Sequence, residues 1–344
     1  MSHWRPVLAA IVLLALSSRS AAGQSTALNI QLSGGESDRL SGALVALVDS
    51  AGVVRSEGLS NARGAVTLRA APGAYRLRVR RVGFRPWYYD NVTLPRTGIL
   101  NVPVVSDRVV LNTMVVSAKA ECGTVGSDAA TLAEIWEEIA KALRASQITA
   151  ADRSAIETAS VYVREIDSRG VLIKADTAHR GAGRGRPFGS VDPLSLLKDG
   201  YVRGNEAKGW EYFGPDEAVL LSRGFAETHC FRIVRDGRRG GEIGLAFEPA
   251  ASRKLPDING ILWLDENTSE LKEMTFTYVN ADIVSRFKPS GFTRFQRMPS
   301  GAWIVSEWRL RMPRLGRRAG SWQNDLIGHT EKGGRIVGRT SPPN

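Results

Sequence analysis

Residues 72–80 read Pro-Gly-Ala-Tyr-Arg-Leu-Arg-Val-Arg. The Pro-Gly pair is a turn signal, and after it Tyr75, Leu77 and Val79 alternate strictly with arginines. Successive side chains of a β-strand point to opposite faces of the sheet, so this alternation predicts a half-buried strand with an apolar inner face. The exposed face of that strand would carry Arg76, Arg78 and Arg80.

The sequence on either side of this strand repeats the pattern of short strands and tight turns. Apolar runs at 43–48 and 66–68 are bounded by the glycine-containing turns 49–52 and 61–64. Turns spaced at about 8–12 residues are typical of a β-sandwich. The sequence therefore predicts such a sandwich over residues 28–105.

These same residues resemble a known family, the carboxypeptidase regulatory-like domain. The resemblance rests on Gly42-Ala43…Val45, Asn61…Gly64-Ala65-Val66, Pro72-Gly73-Ala74-Tyr75…Val79 and Val82-Gly83-Phe84. It implies a transthyretin-like β-sandwich. It implies no specific activity, because this domain is a module that follows metallocarboxypeptidases and precedes the plug of TonB-dependent receptors. The residues that remain here are too few for a receptor barrel.

The first residues of the chain predict export. Arg5 precedes an unbroken apolar run at 7–16, and small residues follow at 20–23. This order is typical of a secretory signal peptide, here residues 1–23. The run is shorter than the roughly 20 residues that span a bilayer, although an uncleaved anchor is the alternative. We expect a periplasmic or extracellular protein, with outer-membrane association left open and no integral span in the mature chain.

The net charge of +11 is spread along the chain rather than gathered in blocks. Such a charge favours anionic partners and says nothing of the fold. Nucleic acid is not expected as a partner of an exported protein. A lipid, a glycan or another envelope protein fits the compartment better, and a merely soluble surface is the alternative.

The chain has two cysteines, Cys122 and Cys230. An even number of cysteines in an oxidising compartment predicts pairing. A disulfide closing so long a loop stabilises by up to about 4–5 kcal/mol in the chain-entropy model. The alternative is two buried, unpaired thiols. Cys122 falls in the linker predicted at 106–127, so the bridge would tie the chain ahead of the next helix to a later strand.

From Thr131 the apolar spacing changes to that of a helix. Thr131 and Glu134 form a plausible capping box, and a second, shorter helix is predicted at 149–159. One face of the first helix carries the apolar residues Leu132, Ile135, Trp136, Ile139 and Leu143, with charged residues elsewhere. This amphipathic pattern predicts packing against the sheet that follows.

Residues 160–310 are predicted to form mostly strands, among them 218–222. The domain as a whole, 128–335, is predicted as a helix packed on an antiparallel sheet, so the protein is mainly β with some α. The stretch 257–265, followed by Leu271 and 276–278, loosely resembles the sheet of periplasmic lipoprotein-carrier folds, half-barrels that cover an apolar cavity with helices. Residues 336–344 are predicted to be a disordered tail.

Catalytic and metal-binding motifs are sparse. A carboxypeptidase-like zinc site needs a glutamate three residues after a histidine, and neither His179, His229 nor His329 has one. His329 and Glu331 would share a strand face and form at most a weak metal pair. His229 and its neighbour Cys230 would point to opposite faces and could not act together. We expect no enzyme activity, no cofactor and no metal.

Two surface features are candidate binding sites. The arginines at 76, 78 and 80 repel one another, which favours an anionic partner; an acidic neighbour across the strand, with Glu57 as candidate, is the alternative. Trp87, Tyr88 and Tyr89 could stack on a sugar, although neighbours on a strand face both ways, so at least one is expected in the core.

The sequence as a whole favours a non-catalytic exported envelope protein. Its role would be binding or assembly through the regulatory-like module. A carbohydrate-binding module, a periplasmic carrier of an apolar ligand and a metal-dependent hydrolase are the alternatives.

Overall fold

The computed structural model describes residues 25–34, 40–105, 107–109, 128–152, 156–180, 191–205, 209–317 and 324–340. The protein is mainly β with few helices. The first part of the chain forms the strands β1 (Thr26–Gly34), β2 (Leu44–Val48), β3 (Val54–Leu59), β4 (Ala65–Ala70), β5 (Gly73–Arg81), β6 (Phe84–Leu94) and β7 (Ile99–Val104).

These strands make two sheets that share one hydrophobic cluster. The first sheet has the order β4-β1-β7, with β1 and β7 parallel, and the second is antiparallel with the order β3-β2-β5-β6. Leu28 of β1 and Leu77 of β5 are both fully buried in the shared cluster. The alternation predicted at 72–80 is therefore confirmed as strand β5, with Leu77 and Val79 inward.

The second part of the chain contains five helices and eleven strands within the described residues. They are α1 (Asp128–Ala151), β8 (Ile156–Asp167), β9 (Leu172–Arg180), α2 (Pro193–Asp199), β10 (Val202–Asn205), β11 (Gly209–Tyr212), α3 (Glu217–Leu220), α4 (Arg223–Thr228), β12 (His229–Val234), β13 (Glu242–Pro249), β14 (Asp257–Asp265), β15 (Leu271–Val279), α5 (Asp282–Ser285), β16 (Ser290–Arg297), β17 (Trp303–Arg317) and β18 (Asn324–Thr340).

Nine of these strands form one sheet in the order β12-β13-β14-β15-β16-β17-β18-β8-β9. From β12 to β18 each strand pairs antiparallel with the next in the chain, so these strands form a meander within the predicted antiparallel sheet. The earlier hairpin β8–β9 extends the sheet, because β8 pairs with β18. A separate hairpin, β10–β11, lies outside this sheet.

Three sequence predictions in this part are wrong. The strand predicted at 218–222 is replaced by α3 and α4, whose first turns are capped by Asp216 and Ser222. No separate helix corresponds to the one predicted at 149–159, because α1 continues to Ala151 and β8 begins at Ile156. The tail predicted as disordered from residue 336 continues β18 to Thr340, because β8 provides a pairing partner.

Helix α1 lies between the two parts of the protein. Its apolar face, including Ile135, Ile139 and Leu143, is fully buried in the core cluster formed with the large sheet. Leu44 of β2 belongs to the same cluster, although it comes from the first part of the chain. The predicted packing of the helix on the sheet is confirmed. Glu137 and Arg144, on the opposite side of the helix, contact Arg80 of β5 and Glu57 of β3.

Candidate functional site

The arginines of β5 do not form a uniformly exposed patch. Arg80 lies under α1 with its side chain 15% exposed, and its guanidinium is 3.1 Å from Glu57 and 3.3 Å from Glu137 of the helix. Glu57 also accepts a hydrogen bond of 2.7 Å from Nε of Arg144. The prediction that Arg80 is exposed is wrong, since the helix covers it. Glu57 is the acidic neighbour considered as the alternative.

The other two arginines are closer to solvent. Arg76 is exposed, pairs with Asp90 and places its guanidinium 5.6 Å from the ring centre of Tyr88. Arg78 is half-buried, and its Nε has no hydrogen-bond partner. Because acidic groups already partner Arg76 and Arg80, the row is not an uncompensated cationic surface.

The three aromatic residues of β6 are divided between the two faces of their sheet. Trp87 and Tyr89 pack against the cluster between the two sheets, whereas Tyr88 is 48% exposed. Trp87 is therefore not free to stack on a sugar, and its buried indole N–H has no hydrogen-bond partner. The structure does not bring Trp87, Tyr88 and Tyr89 together as one platform.

A buried ion pair ties α1 to the turn between β5 and β6. The side chains of Glu138 and Lys141 are 2% and 1% exposed, and their charged groups are 2.6 Å apart. Lys141 also donates to the carbonyl of Phe84 at 2.8 Å, and the N–H of Gly83 donates to Glu138 at 2.7 Å. Burial raises the pKa of Glu138, and the interactions with Lys141 and the Gly83 N–H partly offset this increase.

Cys230 lies in β12 and is disulfide-bonded. Cys122 lies outside the described residues, so its pairing with Cys230 stays a prediction. The signal peptide predicted at 1–23 and most of the linker predicted at 106–127 also lie outside the described residues.

His229 belongs to a buried network rather than to an open site. Its Nε2 is 3.2 Å from Asp257, and both side chains are no more than 1% exposed. Its Nδ1 is 3.1 Å from the carbonyl of Phe225, and its ring stacks on the Phe225 ring at 4.0 Å. Arg253 pairs with the other oxygen of Asp257. A substrate in solvent has no access to this pair, which supports a role in holding α4 against the sheet.

The pair His329 and Glu331 is surrounded by positive charge. Glu331 is buried, with guanidinium groups of Arg309 and Arg311 at 3.7 and 3.9 Å. Burial and the neighbouring Arg311 lower the pKa of His329. Nearby guanidinium groups oppose a bound cation. Among the described residues, no group of three or more histidine, cysteine, aspartate or glutamate side chains could hold a metal.

A cleft of about 330 Å³ opens where the hairpin β10–β11 approaches strands β17 and β18. Its volume is near the lower end of the range for small-molecule sites, about 300–1,000 Å³. The cleft is lined by Gly209, Trp210, Tyr212, Met312, Pro313, Leu315, Thr330 and Lys332. The sequence analysis did not select these residues.

The hairpin contributes the aromatic side of the cleft. Trp210 and Tyr212 are two residues apart on β11, so they share a face. Trp210 is half-buried and Tyr212 is buried. The pattern Gly-Trp-Glu-Tyr at 209–212 is the signal that a sequence reading could have used, since it alternates aromatic and charged side chains after a glycine.

The sheet contributes the other side of the cleft. Met312 of β17 pairs with Thr330 of β18, which places both on one face. Beyond them a register shift pairs Leu315 with Leu326 and leaves Ile327 of β18 as the extra residue of a bulge. Met312, Pro313 and Leu315 all line the cleft beside this bulge.

Tyr212 has an unsatisfied hydroxyl. The residue is 8% exposed and its hydroxyl oxygen has no hydrogen-bond partner. Its ring lies edge-on to Tyr278 at 5.4 Å, whose own hydroxyl donates to the carbonyl of Phe213 at 3.0 Å. Burial raises the pKa of Tyr212, so the group is a neutral phenol at physiological pH. A buried hydroxyl without a partner costs about 1–3 kcal/mol.

Lys332 is the one cation among the described lining residues. It is exposed, and the described residues form no ion pair with it. The nearest acidic position on the same face is Glu165, which pairs with Thr330 in register and forms its ion pair with Arg314 at 2.7 Å. The positive charge of Lys332 is thus left free at the cleft.

In comparisons with known proteins, no family model, no curated protein and no solved structure matches this chain. Among the described helices, none has both the length and the apolar character needed to cross a membrane.

Proposed function

We propose that this protein is a non-catalytic, exported binding protein of the cell envelope that holds a small ligand in the cleft between β10–β11 and β17–β18. The observation that carries the proposal is a cleft lined by the aromatic side chains of Trp210 and Tyr212 and by the aliphatic side chains of Met312 and Leu315, with Lys332 beside them. Binding sites combine an apolar lining with a few polar groups that orient the ligand. The cleft has this composition.

The first part of the chain is, in this proposal, a transthyretin-like sandwich of the carboxypeptidase regulatory-like kind that supports the binding domain. The single core shared by its two sheets supports this assignment. The ion pair Glu138–Lys141 and the contacts of Arg80 with Glu137 support a fixed attachment to α1. Its role is then assembly of the binding domain rather than recognition of a ligand by itself.

The large sheet with α1 on one face supports the resemblance to periplasmic lipoprotein-carrier folds, and hence a carrier of an apolar ligand. Carbohydrate binding at residues 87–89 has less support, because Trp87 and Tyr89 pack inward. A metal-dependent hydrolase has less support still, because arginines surround His329.

Titration with N-phenyl-1-naphthylamine, a neutral probe that fluoresces in apolar sites, tests this function. We expect saturable binding to the purified protein, weakened at least about tenfold by Trp210→Ala because the aromatic wall is lost. Circular dichroism and thermal melting would verify that the variant is folded. Tyr88→Ala, which removes an exposed aromatic residue outside the cleft, is the matched control.

Two results would contradict the proposal. One is the absence of any saturable probe binding to the wild-type protein. The other is loss of binding in Tyr88→Ala with binding retained in Trp210→Ala, which would place the site on the first domain.

A further inference from the structure

We infer that the ligand of the cleft is a small amphipathic anion, an apolar body that carries a carboxylate or phosphate group. This inference rests on the proposed function and specifies its ligand class. It is drawn from the hydrogen-bonding character and charge of the cleft lining.

The polar side chains of the cleft can all donate hydrogen bonds. Lys332 can only donate, and the hydroxyl of Thr330 can donate to any oxygen presented to it. No carboxylate is among the described residues that line the cleft. A ligand group with several acceptor oxygens and a negative charge satisfies these donors together.

The carboxylates near the cleft are already paired with other cations. Glu165 is bound by Arg314 at 2.7 Å. Asp176 on β9, which faces the same side as Val163 of β8, is bound by Lys174 at 3.2 Å. Because these carboxylates are already paired, an anionic group of the ligand would be the counter-ion of the Lys332 ammonium.

The apolar part of the ligand has side chains to contact on one side of Lys332. Met312 and Leu315 line the cleft there, next to Trp210. On the other side, Val163 lies directly across from Lys332 in the pairing of β8 with β18 and is 41% exposed. An apolar body against Met312 and Leu315 would place its charged end at Lys332.

A series of ligands with one apolar body and different head groups tests the inference. The series is octanoate, octyl phosphate, octanol, octylamine and octyl glucoside, each used to displace N-phenyl-1-naphthylamine. We expect octanoate or octyl phosphate to bind at least about tenfold more tightly than octanol, which corresponds to one charge-assisted contact. The ratio of the two anions distinguishes a carboxylate from a phosphate as the head group.

Lys332→Met and Thr330→Val complete the test, with Lys254→Met as the control, since Lys254 is an exposed lysine outside the cleft. Both cleft variants are expected to lower anion affinity by about tenfold and leave octanol unchanged. Added salt is expected to weaken octanoate and not octanol.

The inference would be overturned if octanol, octylamine or octyl glucoside bound as tightly as the anions, or if Lys332→Met kept the preference for anions. Probe binding that depends on Trp210 would still stand in either case, so the proposed function would survive. Absence of probe binding would instead defeat the proposed function itself.

Discussion

The contact between α1 and the first domain and the cleft beneath β10–β11 both contain polar side chains, and they differ in whether those side chains have partners. Glu138 and Lys141 bond to each other and each also bonds to the backbone at Gly83 or Phe84. Tyr212 has no partner and Lys332 no counter-ion among the described residues. The first arrangement stabilises a fold, and the second is typical of a site that a ligand completes.

The largest expected effect is on stability, at the buried ion pair of Glu138 and Lys141. Lys141→Met leaves Glu138 buried without its cation, and we expect the free energy of unfolding to fall by about 3–5 kcal/mol. Urea denaturation at neutral pH measures the change. The double variant Glu138→Gln/Lys141→Met is expected to recover part of the loss, because it removes the stranded charge. A loss below about 1 kcal/mol would contradict a structural role for the pair.

The pH dependence of that loss follows from Glu138. Its pKa in the folded protein is raised above the ordinary value of 4.5, so protonation favours the folded state. Its contribution to stability is greatest below that ordinary value and is lost as pH rises through the raised pKa. Lys141→Met should therefore be least harmful in acid and most harmful at neutral pH. An equal loss at both pH values would show that the carboxyl is not the cause.

A close backbone contact between the two domains gives the next effect. A Cβ on Gly42 would lie 2.0 Å from the carbonyl oxygen of Gly301, and Gly42 has a φ of +69°. We expect Gly42→Ala to lower the free energy of unfolding by at least about 2 kcal/mol. Gly52→Ala is the control, because Gly52 has a φ of +79° and nothing within 4 Å. Equal losses would mean that the contact between the domains contributes nothing.

The smallest expected effect on stability comes from removing a single hydroxyl group, that of Tyr212 or that of Tyr278. Tyr212→Phe removes a buried hydroxyl without a partner, so we expect it to raise the free energy of unfolding by about 1 kcal/mol. Tyr278→Phe removes a hydroxyl that donates to Phe213, so it should lower the same quantity by about 1 kcal/mol. Thermal and urea denaturation of both variants measure the pair. A loss of stability in Tyr212→Phe would mean that its hydroxyl is satisfied in the free protein.

Local sequence patterns predicted individual strands and helices better than the contacts between them. The alternation around Leu77 identified β5 and its inner face, since period-two burial is a property of the strand itself. That α1 covers Arg80 depends on a contact with Glu137, which is far along the chain and leaves no trace in the local pattern. Glu138 and Lys141 lie off the apolar face of α1, yet both are buried, which the local pattern does not indicate.

The short apolar run at 218–221 shows a second limit. Its length and composition suit a strand or a buried helix equally, and the deciding signals are the caps Asp216 and Ser222. The cleft could not be predicted at all, because it forms only where the hairpin β10–β11 lies against β17 and β18. That placement is a property of the folded chain and leaves no trace in the local pattern.

Photo-crosslinking with an octanoate that carries a diazirine on its alkyl chain, followed by peptide mapping, locates the bound ligand on the chain. We expect labels in residues 209–212 and 312–315, lost on competition with unlabelled octanoate. Labels confined to residues 87–89, or labels that resist competition, would contradict that expectation.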